Sequence, residues 1–346
     1  MRGWDTVTTP GFAATFLPRG RAPEPGERFV FRETAATLQR IALTKGEAYY
    51  RGEIVEALVA HSSANGGSTT LSDLADFRLE WVTPIRKDFA GYTLHEIQPN
   101  GQGIAALMAL GMLDKLDLGR LPVDSAESQN LQIEAMKLAF ADTYRWVAGA
   151  RFMTEVSAAD LLSDGYLAER VKLIDNKRAT DFAHGTPNRG YGFTLDYKHP
   201  NVAAGGKRPF HTIIPGFLTR EVDGQTRPQM SFGVMGGNMQ PHGHLQSLVR
   251  MLVHWQQPQA ACYAPRWKVA SGLSVDFEST MAPELLSDLI AMDIVPRRRP
   301  MPTWTTAAGS SSGNCRTRWR MDTSPRAIRA VMGRRQGTEQ PCRRFE

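Results

Sequence analysis

Two consecutive glycines, Gly236 and Gly237, form the pattern in this sequence that is best suited to chemistry. They follow the apolar run at residues 230–235, which predicts a buried strand, and they precede residues 243–255, which predict a helix. Because glycine has no Cβ, backbone amides at such a junction can face a ligand and donate hydrogen bonds to an anionic oxygen. A plain strand-to-helix turn has the same pattern, so the residues alone leave both interpretations open.

Helical and extended patterns alternate around this pair. Thr70 and Asp73 predict a capping box at the start of a helix at residue 71, and the glycine-rich turn at residues 99–103 separates a strand from an apolar helix. From apolar spacing, helices are expected at residues 37–42, 52–59, 104–113, 125–146 and 243–255 and from residue 161, and strands at residues 92–97, 212–218 and 230–235.

The composition is that of a globular, enzyme-sized protein. Of 346 residues, 42% are hydrophobic, and 41 basic against 35 acidic residues give a formal charge of +6. The excess arginines lie in the last sixth of the chain, so they do not indicate a basic folded face. Three cysteines, Cys262, Cys315 and Cys342, make neither a disulfide framework nor a metal knuckle. Without an apolar leader or a transmembrane stretch, we expect a cytoplasmic protein with no membrane partner.

An ordered series of motifs runs through most of the chain. The motifs are Trp4 with Pro-Gly-Phe at 10–12, K-G-E-A-Y-Y-R-G at 45–52, L-S-D-L at 71–74, P-N-G-Q-G at 99–103, E-A-M-K-L-A-F-A-D at 134–142, N-R-G-Y-G-F at 188–193, K-R-P-F-H-T-I-I-P-G-F-L at 207–218, M-S-F-G-V-M-G-G-N-M-Q-P-H-G-H at 230–244 and A-P-R-W at 264–267. In this order they resemble the γ-glutamyltransferase family of the N-terminal-nucleophile hydrolase class. The resemblance covers about four fifths of the chain, and the opening third of the family has no counterpart before Met1.

The resemblance implies both a fold and a reaction. The fold class is α/β (α+β), an incomplete four-layer α/β/β/α sandwich with a helical large-subunit-like portion. Such enzymes cut their own precursor to free a threonine, whose hydroxyl attacks an amide while its own α-amino group acts as base. The resemblance places the oxyanion donors at Gly236 and Gly237. It implies an amide-cleaving acyltransferase or hydrolase for γ-glutamyl compounds such as glutathione or for small oxo-acid amides, with no metal or organic cofactor and with an oligomeric state left open.

Four positions bear on the substrate. His211 and Thr212 align with two adjacent serines that bind the donor carboxylate in the family, and Arg189 and Gly192 align with a glutamine and an aspartate that hold the donor α-amino group. Thr212 can still donate a hydrogen bond, whereas His211 changes shape and charge. Because an arginine repels an ammonium group, we expect an anionic substrate without the amino-acid head, such as a small oxo-acid amide.

The attacking threonine has no clear counterpart. It should follow a glycine and begin a β-branched strand, but residues 184–187 read His-Gly-Thr-Pro before the family pattern resumes at Asn188. Thr186 is the weak candidate, because Pro187 cannot donate a strand hydrogen bond and no alternating run follows it. We therefore expect the chain to be catalytically inactive, although it resembles an enzyme family.

The expected organisation has three parts. Residues 1–187 form a large-subunit-like portion, residues 188–291 a small-subunit-like portion without the nucleophile strand, and residues 292–346 a basic, disordered tail. Reading the tail in another frame from Met321 is compatible with Gly-Tyr-Val-Ala-Ala-Ser-Asp-Pro-Arg-Arg-Asp-Gly-Gln, which resembles the closing motif of the family. The hypothesis is that residues after about Ala291 are translated out of frame.

Other functional classes have weaker support. Gly101, Gly103 and Ala106 have dinucleotide-binding spacing, but the required second strand with an acidic end does not follow. A metal site would need more donors than the histidines at 242, 244 and 254 and Cys262 offer beside a glycine. The arginine tail would bind polyanions without specificity, which leaves a non-catalytic remnant or binding protein as the alternative and no specific nucleic-acid partner.

Overall fold

The computed structural model of the protein describes residues 11–17, 19–181 and 193–297, in a unit from Met1 to Trp81 and a second from Val82 to Glu346. Thr186, Arg189, Gly192 and residues 298–346 lie outside the described residues. The boundary between residues 187 and 188 also lies there and stays a prediction. No helix in the described ranges is both long and apolar enough to cross a membrane.

The first unit is helical in its described part. Its helices are α1 (Phe12–Phe16), α2 (Arg32–Leu43), α3 (Glu47–Arg51), α4 (Glu53–Ala64) and α5 (Leu71–Ala75). The Thr70 hydroxyl accepts a hydrogen bond from the Asp73 N–H, and the Asp73 carboxylate accepts one from the Thr70 N–H. This capping box confirms the prediction at the start of α5. Tyr50 stacks on Phe77 with ring centres 5.4 Å apart.

The helices of the second unit carry most of the core. They are α6 (Gly103–Leu113), α7 (Ala126–Trp146), α8 (Ala158–Leu161), α9 (Asp164–Val171), α10 (Met239–Leu248), α11 (Pro258–Tyr263) and α12 (Pro283–Ala291). Every residue of α6 is buried, because the helix is apolar on all sides and packs against α7, α9 and α10. Ser125 accepts a hydrogen bond from the Ser128 N–H and begins α7 where the sequence predicts.

Two sheets complete the second unit. The strands β1 (Ile85–Phe89), β2 (Tyr92–Glu96), β3 (Gly216–Val222) and β4 (Gln225–Phe232) form an antiparallel sheet in that order. In the second sheet, β5 (Trp267–Ser271) pairs antiparallel with β6 (Ser274–Phe277), and β6 pairs parallel with β7 (Val295–Pro296). The strand predicted at residues 92–97 is β2, whereas β3 and β4 are shifted along the chain from their predicted ranges.

Three predicted boundaries need correction. The helix expected from residue 161 is two helices, because the Ser163 hydroxyl accepts the Tyr166 N–H and begins α9 anew. The helix expected at residues 243–255 is α10 followed by a π-helical turn at Val249–Val253. The tail was expected from residue 292, but Ile294 is buried and the strand β7 pairs with β6. Residues 292–297 are therefore folded.

Candidate active site

Gln102 joins three distant segments of the second unit at one place. Its side-chain Nε2 donates hydrogen bonds to the Gly237 carbonyl oxygen at 2.9 Å and to the Thr212 carbonyl oxygen at 3.2 Å. Gln102 is fully buried, so these two bonds are shielded from water. The turn before α6, the approach to β3 and the glycine pair after β4 therefore meet around one carboxamide.

Backbone pairing aligns the first two of these segments. The His211 N–H donates to the Asn100 carbonyl oxygen at 3.3 Å, and the Gln102 N–H donates to the His211 carbonyl oxygen at 3.2 Å. A Cβ at Gly101 would lie 3.2 Å from His211 Cε1, which is tighter than ordinary contact. The glycine at residue 101 thus allows His211 to pack closely against the backbone. This packing explains the glycine without a phosphate-binding role of the kind found in a dinucleotide site.

The glycine pair has a backbone conformation that other residues rarely adopt. The φ angles are +129° at Gly236 and +61° at Gly237. Their carbonyl oxygens accept the N–H groups of Met239 and Gln240 at the start of α10, at 3.1 and 3.0 Å. Within the described part of the chain, neither glycine N–H donates to an acceptor. Gly236 is exposed and Gly237 half-buried, so two consecutive amides remain open to a ligand.

Neighbouring side chains hold the loop after the glycine pair. Asn238 Nδ2 donates to the Tyr144 hydroxyl at 3.1 Å, and the Gln240 side-chain oxygen accepts the Ile214 N–H at 3.3 Å. The Tyr144 carbonyl oxygen in turn accepts a hydrogen bond from His199 Nε2 at 2.7 Å. The amides of the glycine pair are therefore set by contacts to α7 and to the start of β3 before any ligand arrives.

His211 is a neutral side chain in this site. Its Nδ1 accepts the Ile213 N–H at 3.1 Å, which leaves the ring proton on Nε2. Burial lowers the pKa of His211 below its ordinary value of 6.5. The ring therefore adds no positive charge for a carboxylate near neutral pH. Both His211 and Thr212 are half-buried beside the segment that Gln102 holds.

The structure assembles only part of the predicted site. Gly236, Gly237, His211 and Thr212 lie on the segments that Gln102 joins. The roles of Thr186, Arg189 and Gly192 stay predictions, because these residues lie outside the described ranges. The sequence interpretation missed Gln102 as a site residue. Its signal was a polar side chain in the Pro-Asn-Gly-Gln-Gly turn, directly before a helix that is otherwise apolar.

Two of the three histidines considered as metal ligands, His242 and His244, have other partners. His242 donates from Nδ1 to the Asn238 carbonyl oxygen at 2.8 Å and accepts the Val269 N–H at Nε2 at 3.1 Å. His244 pairs with Glu96. Across residues 11–17, 19–181 and 193–297, no group of three or more His, Cys, Asp or Glu side chains is arranged to hold a metal ion. The chemistry that the described site offers is hydrogen bonding by backbone amides.

The chain is similar to proteins of one family. The family model for Gamma-glutamyltranspeptidase matches residues 2–185 and 176–303. The Glutathione hydrolase-like YwrD proenzyme of Bacillus subtilis is 30% identical over 300 residues, which cover 75% of this chain and 56% of that protein. The Oxamate amidohydrolase proenzyme of Klebsiella pneumoniae is 28% identical over 326 residues, which cover 81% and 60%. The chain thus spans less than two thirds of the length of these relatives.

A solved structure shares the fold. The cephalosporin acylase from Bacillus halodurans superposes with a TM-score of 0.75 and 37% sequence identity, over 83% of this chain and 59% of that chain. Together with the family match, this likeness confirms the predicted resemblance and the predicted fold class.

Proposed function

Because the chain belongs to the gamma-glutamyltranspeptidase family, we propose that it keeps the oxyanion-binding part of an amide-cleaving acyltransferase or hydrolase and lacks the attacking hydroxyl. The oxyanion-binding part rests on the pair of open amides at Gly236 and Gly237, whose backbone has positive φ angles beside α10. The missing hydroxyl rests on the sequence around Thr186. In this proposal the chain binds a small amide without cleaving it.

The chemistry of amide cleavage explains why these amides matter. Attack on an amide carbon drives negative charge onto the carbonyl oxygen, and donors already in place stabilise that charge without reorganisation. Loss of one such donor typically lowers a rate about 10²- to 10³-fold. The hydrogen bond from the Met239 N–H to the Gly236 carbonyl holds the peptide plane that carries the Gly237 N–H, and the bonds from Gln102 and Gln240 to the Gly237 carbonyl hold the next plane. Gly236 and Gly237 are therefore suited to the oxygen of a bound amide.

The nucleophile is the part that we propose to be missing. An N-terminal nucleophile needs a backbone cut before a threonine at the start of a strand, so that the freed α-amino group can accept the hydroxyl proton. Thr186 follows a glycine but precedes Pro187, which has no N–H for a strand ladder. In this proposal, no strand at Thr186 places a hydroxyl against the amide carbon.

The ligand class follows from charge. A neutral His211 beside Thr212 offers a carboxylate only hydrogen bonds, and Arg189 stands where relatives hold an ammonium group. We propose a small oxo-acid amide such as oxamate, in keeping with the name of the Klebsiella relative. Glutathione, with its ammonium group, should bind more weakly.

Expression of the full chain tests the missing nucleophile. Electrophoresis and intact mass should show one uncut polypeptide, and incubation with oxamate and water should release no oxalate or ammonia. A γ-glutamyl anilide should also remain uncleaved. Two fragments, the smaller beginning at a threonine, would overturn this half of the proposal. So would oxamate hydrolysis that disappears in the Thr186→Ala variant.

Selective isotope labelling tests separately whether the amides of Gly236 and Gly237 bind the ligand. In protein labelled with [¹⁵N]glycine, oxamate should shift the amide resonances of Gly236 and Gly237, and the Gly236→Ala variant should abolish the effect at Gly237. Gly205→Ala is the matched control, because its added methyl would meet no atom within 4 Å. Unchanged resonances in folded protein would show that the amides of Gly236 and Gly237 do not bind oxamate, whether or not the nucleophile is missing.

A further inference from the structure

A cavity lies between the end of α7, the helix α9 and the loop at residues 196–207. Its volume is about 1270 Å³, large enough for an organic molecule. Trp146 and Tyr166 line it. Arg151 and Phe152, which belong to the 3₁₀ turn Ala150–Phe152, line it as well. Of the described residues named at the candidate active site, His199 lines this cavity, whereas Gln102, His211, Thr212 and the glycine pair do not.

The cavity has an excess of positive charge. Five basic side chains line it, from Arg145, Arg151, Arg170, Lys198 and Lys207, against three acidic ones, from Asp142, Glu155 and Asp196. Asp142 is already engaged, because its carboxylate forms a bidentate ion pair with Arg170. The remaining cations therefore outnumber the remaining carboxylates at the cavity wall.

Lys207 and Arg151 are held in place by neutral partners. Lys207 Nζ donates to the carbonyl oxygens of Pro200 at 2.6 Å and Val202 at 2.9 Å. Arg151 Nη2 donates to the carbonyl oxygen of Gly206 at 2.5 Å. Both cations also lie on the Phe152 ring, at 4.5 Å and 4.8 Å from its centre. Among the residues that the structure describes, no carboxylate lies within ion-pair distance of either one.

This arrangement concentrates charge without neutralising it. Two cations that share one aromatic ring repel each other, and partial burial weakens the hydration of Lys207. Burial accordingly lowers the pKa of Lys207. An oxyanion near both would gain two charge-assisted hydrogen bonds and remove the repulsion. The carbonyl contacts and the ring fix the side chains beforehand, so little side-chain entropy is lost on binding.

We propose that this cavity binds an organic anion, with its carboxylate or phosphate group at Arg151 and Lys207 and its apolar body toward Trp146. The size of the cavity and its aromatic wall favour an organic molecule over a bare inorganic ion. The shared chemistry of carboxylates and phosphates is a planar or tetrahedral group of oxygens that accepts several N–H donors.

Calorimetric titration of the full chain at low ionic strength tests this site. The probes are phenyl phosphate, benzoate and inorganic phosphate, each in a buffer without phosphate. Phenyl phosphate or benzoate should bind about tenfold more tightly than inorganic phosphate, because the ring is buried as well. The two organic probes distinguish a phosphate ligand from a carboxylate ligand. If neither binds, or if inorganic phosphate binds as tightly, the proposal is wrong.

Three variants locate the binding. Arg151→Met and Lys207→Met should each weaken the better organic probe about tenfold or more, because each removes a charge-assisted hydrogen bond. Lys172→Met is the matched control. It also removes one positive charge, but Lys172 forms an exposed ion pair with Glu169 outside the cavity. Arg151 is exposed and its loss should leave the fold intact, even if the Lys207 variant loosens its loop. Affinity unchanged in the Arg151 variant would overturn the assignment.

Discussion

His244 donates a hydrogen bond from Nδ1 to the Glu96 carboxylate at 2.7 Å, with both side chains fully buried. The pair joins α10 to the end of β2. A Cβ at Gly103 would lie 2.8 Å from Glu96 Oε2, so the carboxylate also faces the first residue of α6. The positive end of that helix favours the anion. One carboxylate at the end of β2 therefore contacts both α6, which follows Gln102, and α10, which follows the glycine pair.

Breaking this pair should destabilise the second unit strongly. His244→Leu leaves the Glu96 carboxylate buried without its donor, and we expect a loss of about 3–5 kcal/mol in the free energy of unfolding. Urea denaturation monitored by circular dichroism measures it. Glu155→Gln, at an exposed carboxylate, is the control and should change stability by less than about 0.5 kcal/mol. A loss below about 1 kcal/mol in His244→Leu would show that the pair is not a structural tie.

Two helical glycines should respond oppositely to the same substitution. A methyl at Gly111 in α6 would lie 2.7 Å from Leu167 Cδ1 and 2.9 Å from Lys87 Cε, whereas a methyl at Gly165 in α9 meets nothing within 4 Å. Gly111→Ala should therefore cost about 1–3 kcal/mol by overpacking. Gly165→Ala should raise stability by about 0.5–1 kcal/mol, because alanine favours the helix. Equal shifts in the thermal midpoints of the two variants would contradict the packing of α6 on α9.

A buried ion pair on α7 should show strong coupling. Lys137 Nζ donates to Glu134 Oε1 at 2.7 Å and to the Thr180 carbonyl oxygen at 3.2 Å, and Glu134 Oε2 accepts the Thr180 N–H at 3.0 Å. Lys137→Met leaves a buried carboxylate unpaired and should cost about 3–5 kcal/mol. In the double variant with Glu134→Leu, the total loss should be smaller than the sum of the single losses. Additive losses in a double-mutant cycle would rule out a direct pair.

Alkaline pH should destabilise the second unit through Tyr166. Burial, with the nearby Asp142 carboxylate, raises the pKa of Tyr166 from 10.0 to about 12. Between these values the unfolded chain loses the phenol proton before the folded one, so the free energy of unfolding falls as pH rises. Tyr166→Phe should remove this slope and the last step in the tyrosinate absorbance titration. Tyr197→Phe, at a side chain 93% exposed, should leave that step in place.

The sequence was sufficient where a signal lies within a few residues. The capping box at Thr70, the start of α7 at Ser125 and the strand β2 appear close to where their patterns predict. Each depends on side-chain spacing or on hydrogen bonds that span three residues, so local conformation alone expresses it. The glycine pair belongs here too, because its left-handed backbone follows from the absence of a Cβ.

Only the tertiary structure decided which distant residues meet. Gln102 reaches a carbonyl 135 residues away, and Glu96 meets a histidine 148 residues away. No periodic pattern in the sequence predicts either contact, because each depends on how α6 and α10 pack against β2. Lys207 likewise reaches the Phe152 ring, beside Arg151, only when its loop folds back to the end of α7. Local propensity sets the elements, whereas burial and polar pairing between elements set the sites.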